Sequence, residues 1–171
     1  MDNKKTNADF LDNGYSIPYP EDPFEMNSGP FYVGEGNNGE TIVSLEVTRT
    51  QCNSGLVAHG GLLMTLADLA VCHEAIKNLE NVRALTVALT ANFLKPAEEG
   101  TLLKAFPKIN HRTKRTAFME AYILADEEKA FTCTSVIRLI SSAQRTCNNR
   151  IKEILLQNKI VLDQKRLIKN E

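Results

Sequence analysis

Residues 53–72 read Asn53-Ser54-Gly55-Leu56-Val57-Ala58-His59-Gly60-Gly61-Leu62-Leu63-Met64-Thr65-Leu66-Ala67-Asp68-Leu69-Ala70-Val71-Cys72, and this stretch decides the architecture. From position 59 to about 77 the chain holds good helix formers and no proline, which predicts one long helix opening on Gly60-Gly61. Apolar residues cover all of its faces, the pattern of a helix buried on every side. Upstream, residues 41–47 alternate in the manner of a half-buried strand. Downstream, stretches rich in β-formers occupy 82–93, 101–109, 116–124 and 130–140, separated by Pro96 with Gly100, by 107–111, and by Asp126-Glu127-Glu128. One or two strands, one long helix and four strands leave no room for parallel crossovers. The expected class is therefore α+β with a mainly antiparallel sheet.

With 171 residues, 43% of them apolar, the chain is long enough for one domain with a core. Lys and Arg (20) balance Asp and Glu (21), which argues against a nucleic-acid partner. No apolar run approaches the ~20 residues of an integral membrane segment, and the polar start reads as no signal peptide. Cys52, Cys72, Cys133 and Cys147 lack CxxC spacing, so free thiols in a cytoplasmic setting are expected. Those cysteines and three scattered histidines form no metal-ligand pattern. Residues 1–23 form a polar lead-in, with Pro18, Pro20, Pro23 and Pro30 punctuating the first thirty positions. The main domain spans 24–140, and 141–171 form a basic tail. That tail holds seven Lys/Arg against three Asp/Glu, hence +4, leaving −5 for residues 1–140. Ile154, Leu155, Val161, Leu162 and Ile168 recur at a spacing that suits an extra amphipathic C-terminal helix. It could be an oligomer contact, an anionic-surface binder, a helix docked on its own domain, or a frayed end.

Asp68 does not match its apolar neighbours. A carboxylate is costly to bury unless paired or hydrogen-bonded, and no Lys or Arg lies within two turns of it. It is either satisfied by a distant group or a catalytic carboxylate tuned by burial. Thr65, one turn earlier, is a weaker candidate, because a helix threonine often bonds its own backbone. Gly60-Gly61 leave the first N–H groups of the helix open to a carbonyl oxygen or an anion, the chemistry of an oxyanion hole; a plain tight turn is the other reading. His59 alone reads as structural or capping. Gly60 and Asp68 are eight residues apart, about 12 Å along a helix. They cannot both touch one reacting carbon from the same helix. If both act in one site, two antiparallel copies must supply it, which implies a homodimer with two equivalent sites.

Asn53, His59-Gly60-Gly61 and Asp68, followed by a strand with Thr86 and by Phe93-Leu94-Lys95-Pro96, resemble the hotdog-fold acyl-CoA thioesterases of the PaaI-like type. The resemblance covers about residues 24–140 and includes Gly29-Pro30-Phe31-Tyr32. It implies a hotdog fold, an antiparallel sheet wrapped around one long central helix. It also implies roles. The Gly60 N–H polarises the thioester carbonyl, Asn53 assists or places water, and His59 orients Asn53 and the thioester. Asp68 is general base or nucleophile from the other subunit, and Thr86 positions the attacking water. Gly61 and Thr65 contact substrate, and Arg112, Lys114 and Arg115 contact the CoA phosphates, although the turn they form lacks the family's usual glycine. No cofactor is implied; acyl-CoA is the substrate, and the partner is a second copy, with a dimer of dimers as the larger assembly. The alternative is a non-catalytic acyl-CoA-binding sensor or scaffold on the same fold. A hydratase fits the Asn-His-Gly-Gly-Asp order poorly. Met64, Phe93 and Phe118 are equally readable as acyl-tunnel or core residues, so the acyl class is not set by the sequence.

Overall fold

A computed structural model describes residues 7–141. The 142–171 part of the tail, with its expected amphipathic helix and Cys147, lies outside the described residues. In chain order the elements are α1 (Asn7–Asp12), α2 (Pro23–Ser28), β1 (Tyr32–Glu35), β2 (Thr41–Glu46), a 3₁₀ turn (Arg49–Gln51), α3 (Gly60–Ile76), β3 (Val82–Phe93), β4 (Leu102–Arg112), β5 (Thr116–Ala125) and β6 (Glu128–Ser141). The six strands form one sheet in the order β1-β2-β4-β5-β6-β3, and each neighbouring pair is antiparallel. The expected α+β architecture, an antiparallel sheet wrapped around one long helix, is the one the chain adopts.

The helix packs closely because both surfaces carry small side chains where they meet. Ala105, Ala117 and Ala121 on the sheet and Ala67, Ala70 and Ala75 on α3 are all buried. Leucines and larger residues fill the space between them: Leu63, Leu66, Leu103, Met119, Ile123 and Ile137 belong to the same core cluster. A fully buried leucine such as Leu66 contributes about 1.5–3 kcal/mol by leaving water. The α3 end is tied down by charge-assisted bonds. The Lys77 ammonium pairs with Glu35 at 2.8 Å, Thr41 donates to Glu74, and Arg112 Nη1 donates to the Ala75 carbonyl at 3.3 Å. Cations at a helix C-terminus also complement its dipole.

Two local expectations are corrected. α3 is not covered on every side: Met64 is 40% exposed, and Thr65, Asp68 and Cys72 are half-buried. These four recur at helical spacing and form one open stripe, hidden in the sequence by the apolar residues between them. The lead-in is also more ordered than its polar composition implies. Phe10 is buried and stacks on Tyr32 at 4.6 Å, and Ser16 bridges to Val33 of β1. Pro23 sits at the start of α2, where its missing N–H costs nothing, and the Asp22 carboxylate caps that helix by accepting from the Phe24 and Glu25 N–H groups.

Candidate active site

The start of α3 is capped by His59, whose side chain and carbonyl satisfy most of its first turn. His59 is the N-cap, and its Nδ1 accepts from the Gly61 N–H at 2.9 Å. The Leu62 and Leu63 N–H groups donate to the His59 carbonyl. The Gly60 N–H is left with no partner among the described residues, which is the open donor an oxyanion needs. A Cβ at Gly61 would lie 3.0 Å from His59 Nδ1 and would press on the capping imidazole. At Gly60 a Cβ would crowd the Phe93 ring at 3.1 Å.

These bonds bear on two roles implied by the resemblance. The Gly61 N–H donates to the His59 cap and shapes the turn. His59 makes no hydrogen bond to Asn53 among the described residues. Asn53 is oriented by its own loop, with Oδ1 accepting from the Gly55 N–H at 2.8 Å. Its amide nitrogen has no described partner, so a second donor is available near the helix start. Thr65 behaves as its position in a helix suggests, donating Oγ1–H to the Gly61 carbonyl at 2.9 Å.

Two turns along α3, Thr86 donates to Asp68 Oδ1 at 2.6 Å, and Cys72 Sγ lies 3.2 Å from the same Thr86 oxygen. The register of β3 against β6 shifts between Thr86 and Ala88, a bulge beside the paired carboxylate. Because the Thr86 proton is committed to Asp68, Oδ2 is the oxygen of that carboxylate left to take a proton. Asp68 has no salt bridge among the described residues. Burial pushes the Cys72 thiol up to about 11, so it stays protonated and is a poor nucleophile.

Asp68 opens into a cleft of about 580 Å³, within the range of small-molecule sites, between α3, the start of β3, the end of the lead-in and α2. Thr65 and Cys72 line it too; Asn53, His59 and Gly60 do not. Within one chain the open donors and the carboxylate therefore remain apart. Arg112 also caps the end of α3, with its Nη1 on the carbonyls of Ala75 and Lys77. Lys114 and Arg115 stay exposed on the β4–β5 turn and are not among the residues that line the cleft. The glycine missing from that turn is replaced by the Thr113 hydroxyl, which accepts from the Arg115 and Thr116 N–H groups.

Glu25 is the residue that sequence reasoning missed. It lines the same cleft and is half-buried. Burial, then the charges of Asp22 and Asp68, push its carboxyl up to about 7. The Asp22-Pro23-x-Glu25 pattern signals a helix start, but nothing local in it points to Asp68. An acid whose folded pKa is raised stabilises the fold below its unfolded value and loses that contribution as pH rises through the folded one. Between about pH 4.5 and 7 the wild-type melting temperature should therefore fall more steeply than that of Glu25→Gln, by about a degree or two after solvent screening. Parallel pH profiles of thermal unfolding for the two proteins would remove Glu25 from this linkage.

The wrapped helix, its unpartnered first donor and the threonine-held carboxylate define a hotdog-fold hydrolase of thioesters. The chain belongs to the thioesterase superfamily, whose family model matches residues 55–131. It is 30% identical over 127 residues to a Pseudomonas aeruginosa protein to which esterase activity is ascribed, covering 74% of this chain and 95% of that one. It is likewise 30% identical over 93 residues to the acyl-coenzyme A thioesterase PaaI of Escherichia coli, covering 54% of this chain and 65% of that enzyme. Among solved structures it is similar to a Bacillus halodurans protein determined with CoA, at 27% identity and a TM-score of 0.60, over 64% of this chain and 74% of that one.

Proposed function

We propose that this protein hydrolyses acyl-CoA thioesters at two equivalent sites of a homodimer, with Asp68 of one copy facing the Asn53–Gly60 turn of the other. The observation that carries this reading is the separation of two half-sites on one helix. The open Gly60 N–H lies at its start, and the Thr86-held carboxylate lies eight residues later, about 12 Å along the axis. An antiparallel second copy brings one half to the other. β3 supplies a suitable edge: it ends the sheet over 12 residues, with Leu85 56% and Val87 64% exposed. A long exposed edge of that kind is a template for pairing with another chain.

The chemistry then runs as follows. Asp68 Oδ2 takes a proton from water as the water oxygen bonds to the thioester carbon. The oxyanion accepts from the Gly60 N–H and the Asn53 amide, donors already in place before charge develops. Collapse breaks the carbon–sulfur bond, and the thiolate recovers the proton from Asp68, giving free acid and CoA. Lys114 and Arg115 carry charge suited to the CoA phosphates. The near-neutral composition favours no nucleic-acid partner, and the three described cysteines are unpaired, as suits the cytoplasm. Among the described residues no helix is long and apolar enough to cross a membrane.

The test is free-thiol release over CoA thioesters from acetyl to palmitoyl, with phenylacetyl and benzoyl esters included. Release from at least one class is expected. Silence across the panel, with CoA esters still binding, would replace the hydrolase by an acyl-CoA sensor.

A further inference from the structure

The cleft beside Asp68 has walls that combine apolar side chains with an excess of carboxylates. Apolar side chains such as Leu69, Ile76 and Val82 line part of it. Glu21 and Asp22 from the lead-in and Glu25 from α2 join Asp68 from α3, against the single guanidinium of Arg83 among the lining residues. Four carboxylates and one cation leave −3 when all are ionised. The phosphates of CoA carry the same sign, so the nucleotide cannot share these walls. The uncharged end of a thioester can.

We propose that this cleft is the acyl pocket and that Glu25 is its specificity-determining residue, excluding acyl chains that end in a carboxylate and admitting neutral chains of the same length. The inference rests on the thioesterase reading above and deepens it. The Glu25 carboxylate has no side-chain hydrogen bond or ion pair among the described residues, so no cation is paired with it. A neutral chain that enters loses only hydration from its methylene groups, which the apolar wall repays. A terminal carboxylate is brought against like charges in a space partly withdrawn from water, where repulsion is stronger than in bulk. The groups facing Glu25 come from three elements. Tyr19, Glu21 and Asp22 belong to the lead-in, Asp68 and Cys72 to α3, and Arg83 to β3. Burial raises both the Tyr19 hydroxyl and the Cys72 thiol, so neither adds charge at neutral pH. Arg83 is the one opposing group, and three further carboxylates outweigh it. Because burial holds the Glu25 proton up to about 7, exclusion should strengthen as pH rises through neutrality.

Two thioethers that cannot be cleaved, S-hexyl-CoA and S-(5-carboxypentyl)-CoA, differ only at the chain end. Their affinities for wild type and Glu25→Gln would be measured by calorimetry at about pH 6 and about pH 8. The expected result is a preference of wild type for the hexyl probe of about tenfold at the higher pH and less at the lower. Glu25→Gln should lose most of that preference and most of its pH dependence. Equal affinities in wild type at the higher pH would overturn the proposal, as would tighter binding of the carboxypentyl probe through Arg83. An unchanged preference in Glu25→Gln would do the same. Neither probe is cleaved, so the affinity ratio judges the pocket alone. Silence across the whole thioester panel would instead strike the hydrolase reading.

Discussion

Replacing Asp68 by Asn should lower kcat/KM by ~100-fold or more, within the span expected for loss of a general base, while leaving the fold and the assembly nearly intact. That factor corresponds to about 2.7 kcal/mol of transition-state stabilisation. The two halves of the expectation have separate causes. An amide is the same size as the carboxylate and still offers an Oδ1 to the Thr86 hydroxyl, which donates to Asp68 at 2.6 Å. Asp68 has no salt bridge among the described residues, so neutralising it strands no opposite charge. What the amide cannot do is accept a proton from water. Cys72, one turn further along the open stripe, cannot take over, since its thiol is pushed up to about 11 and stays protonated. Thiol-release kinetics, with melting temperature and sedimentation as controls for folding, decide the matter. Activity within about threefold of wild type would take Asp68 out of the proton-transfer step.

The fold was legible because its signals are local and periodic. β3 occupies the 82–93 stretch read from β-formers, and α3 begins at the glycine pair whose lack of Cβ marks a helix start. The strand ends moved by one to three residues, as at β4, which runs on to Arg112 past a bulge between Ile109 and His111. Such irregularities depend on the neighbouring strand and leave little local trace. The candidate site was legible only in part. Asn53, Gly60, Asp68 and Thr86 stand out by type and spacing, but their hydrogen bonds are tertiary facts. Arg112 reads as a phosphate ligand in a basic turn, and only the folded chain places it on the carbonyls of Ala75 and Lys77. Glu25 belongs to a six-residue helix that follows the polar lead-in, and only the folded chain brings it to the cleft that Asp68 also lines. A carboxylate moved off its ordinary pKa by burial cannot be read from its sequence neighbours.

Mixing two inactive proteins should restore activity if each site draws on two chains. Asp68→Asn lacks the base, and Asn53→Ala lacks the side-chain donor to the oxyanion, so each homodimer has two broken sites. In a hybrid dimer one site combines Asp68 from the Asn53→Ala chain with Asn53 and Gly60 from the Asp68→Asn chain. That site is intact, and the other carries both defects. With equal amounts and random exchange, half of the dimers are hybrid and half of their sites work, giving about one quarter of wild-type activity per subunit. The alternative geometry places Asp68 and Asn53 of one chain in the same site, and there every site in every hybrid keeps a defect, so no rescue follows. The structure bears on this choice in one respect. The cleft that Asp68 lines in a single chain does not include Asn53, His59 or Gly60. Rescue should also require that subunits meet along β3, where Leu85 and Val87 are exposed. A charged residue at Val87 should then weaken dimerisation and rescue together, because a charge brought into a newly buried strand pair is costly. Exchange confirmed by mass spectrometry without recovery of activity would show that the half-sites are not shared between chains.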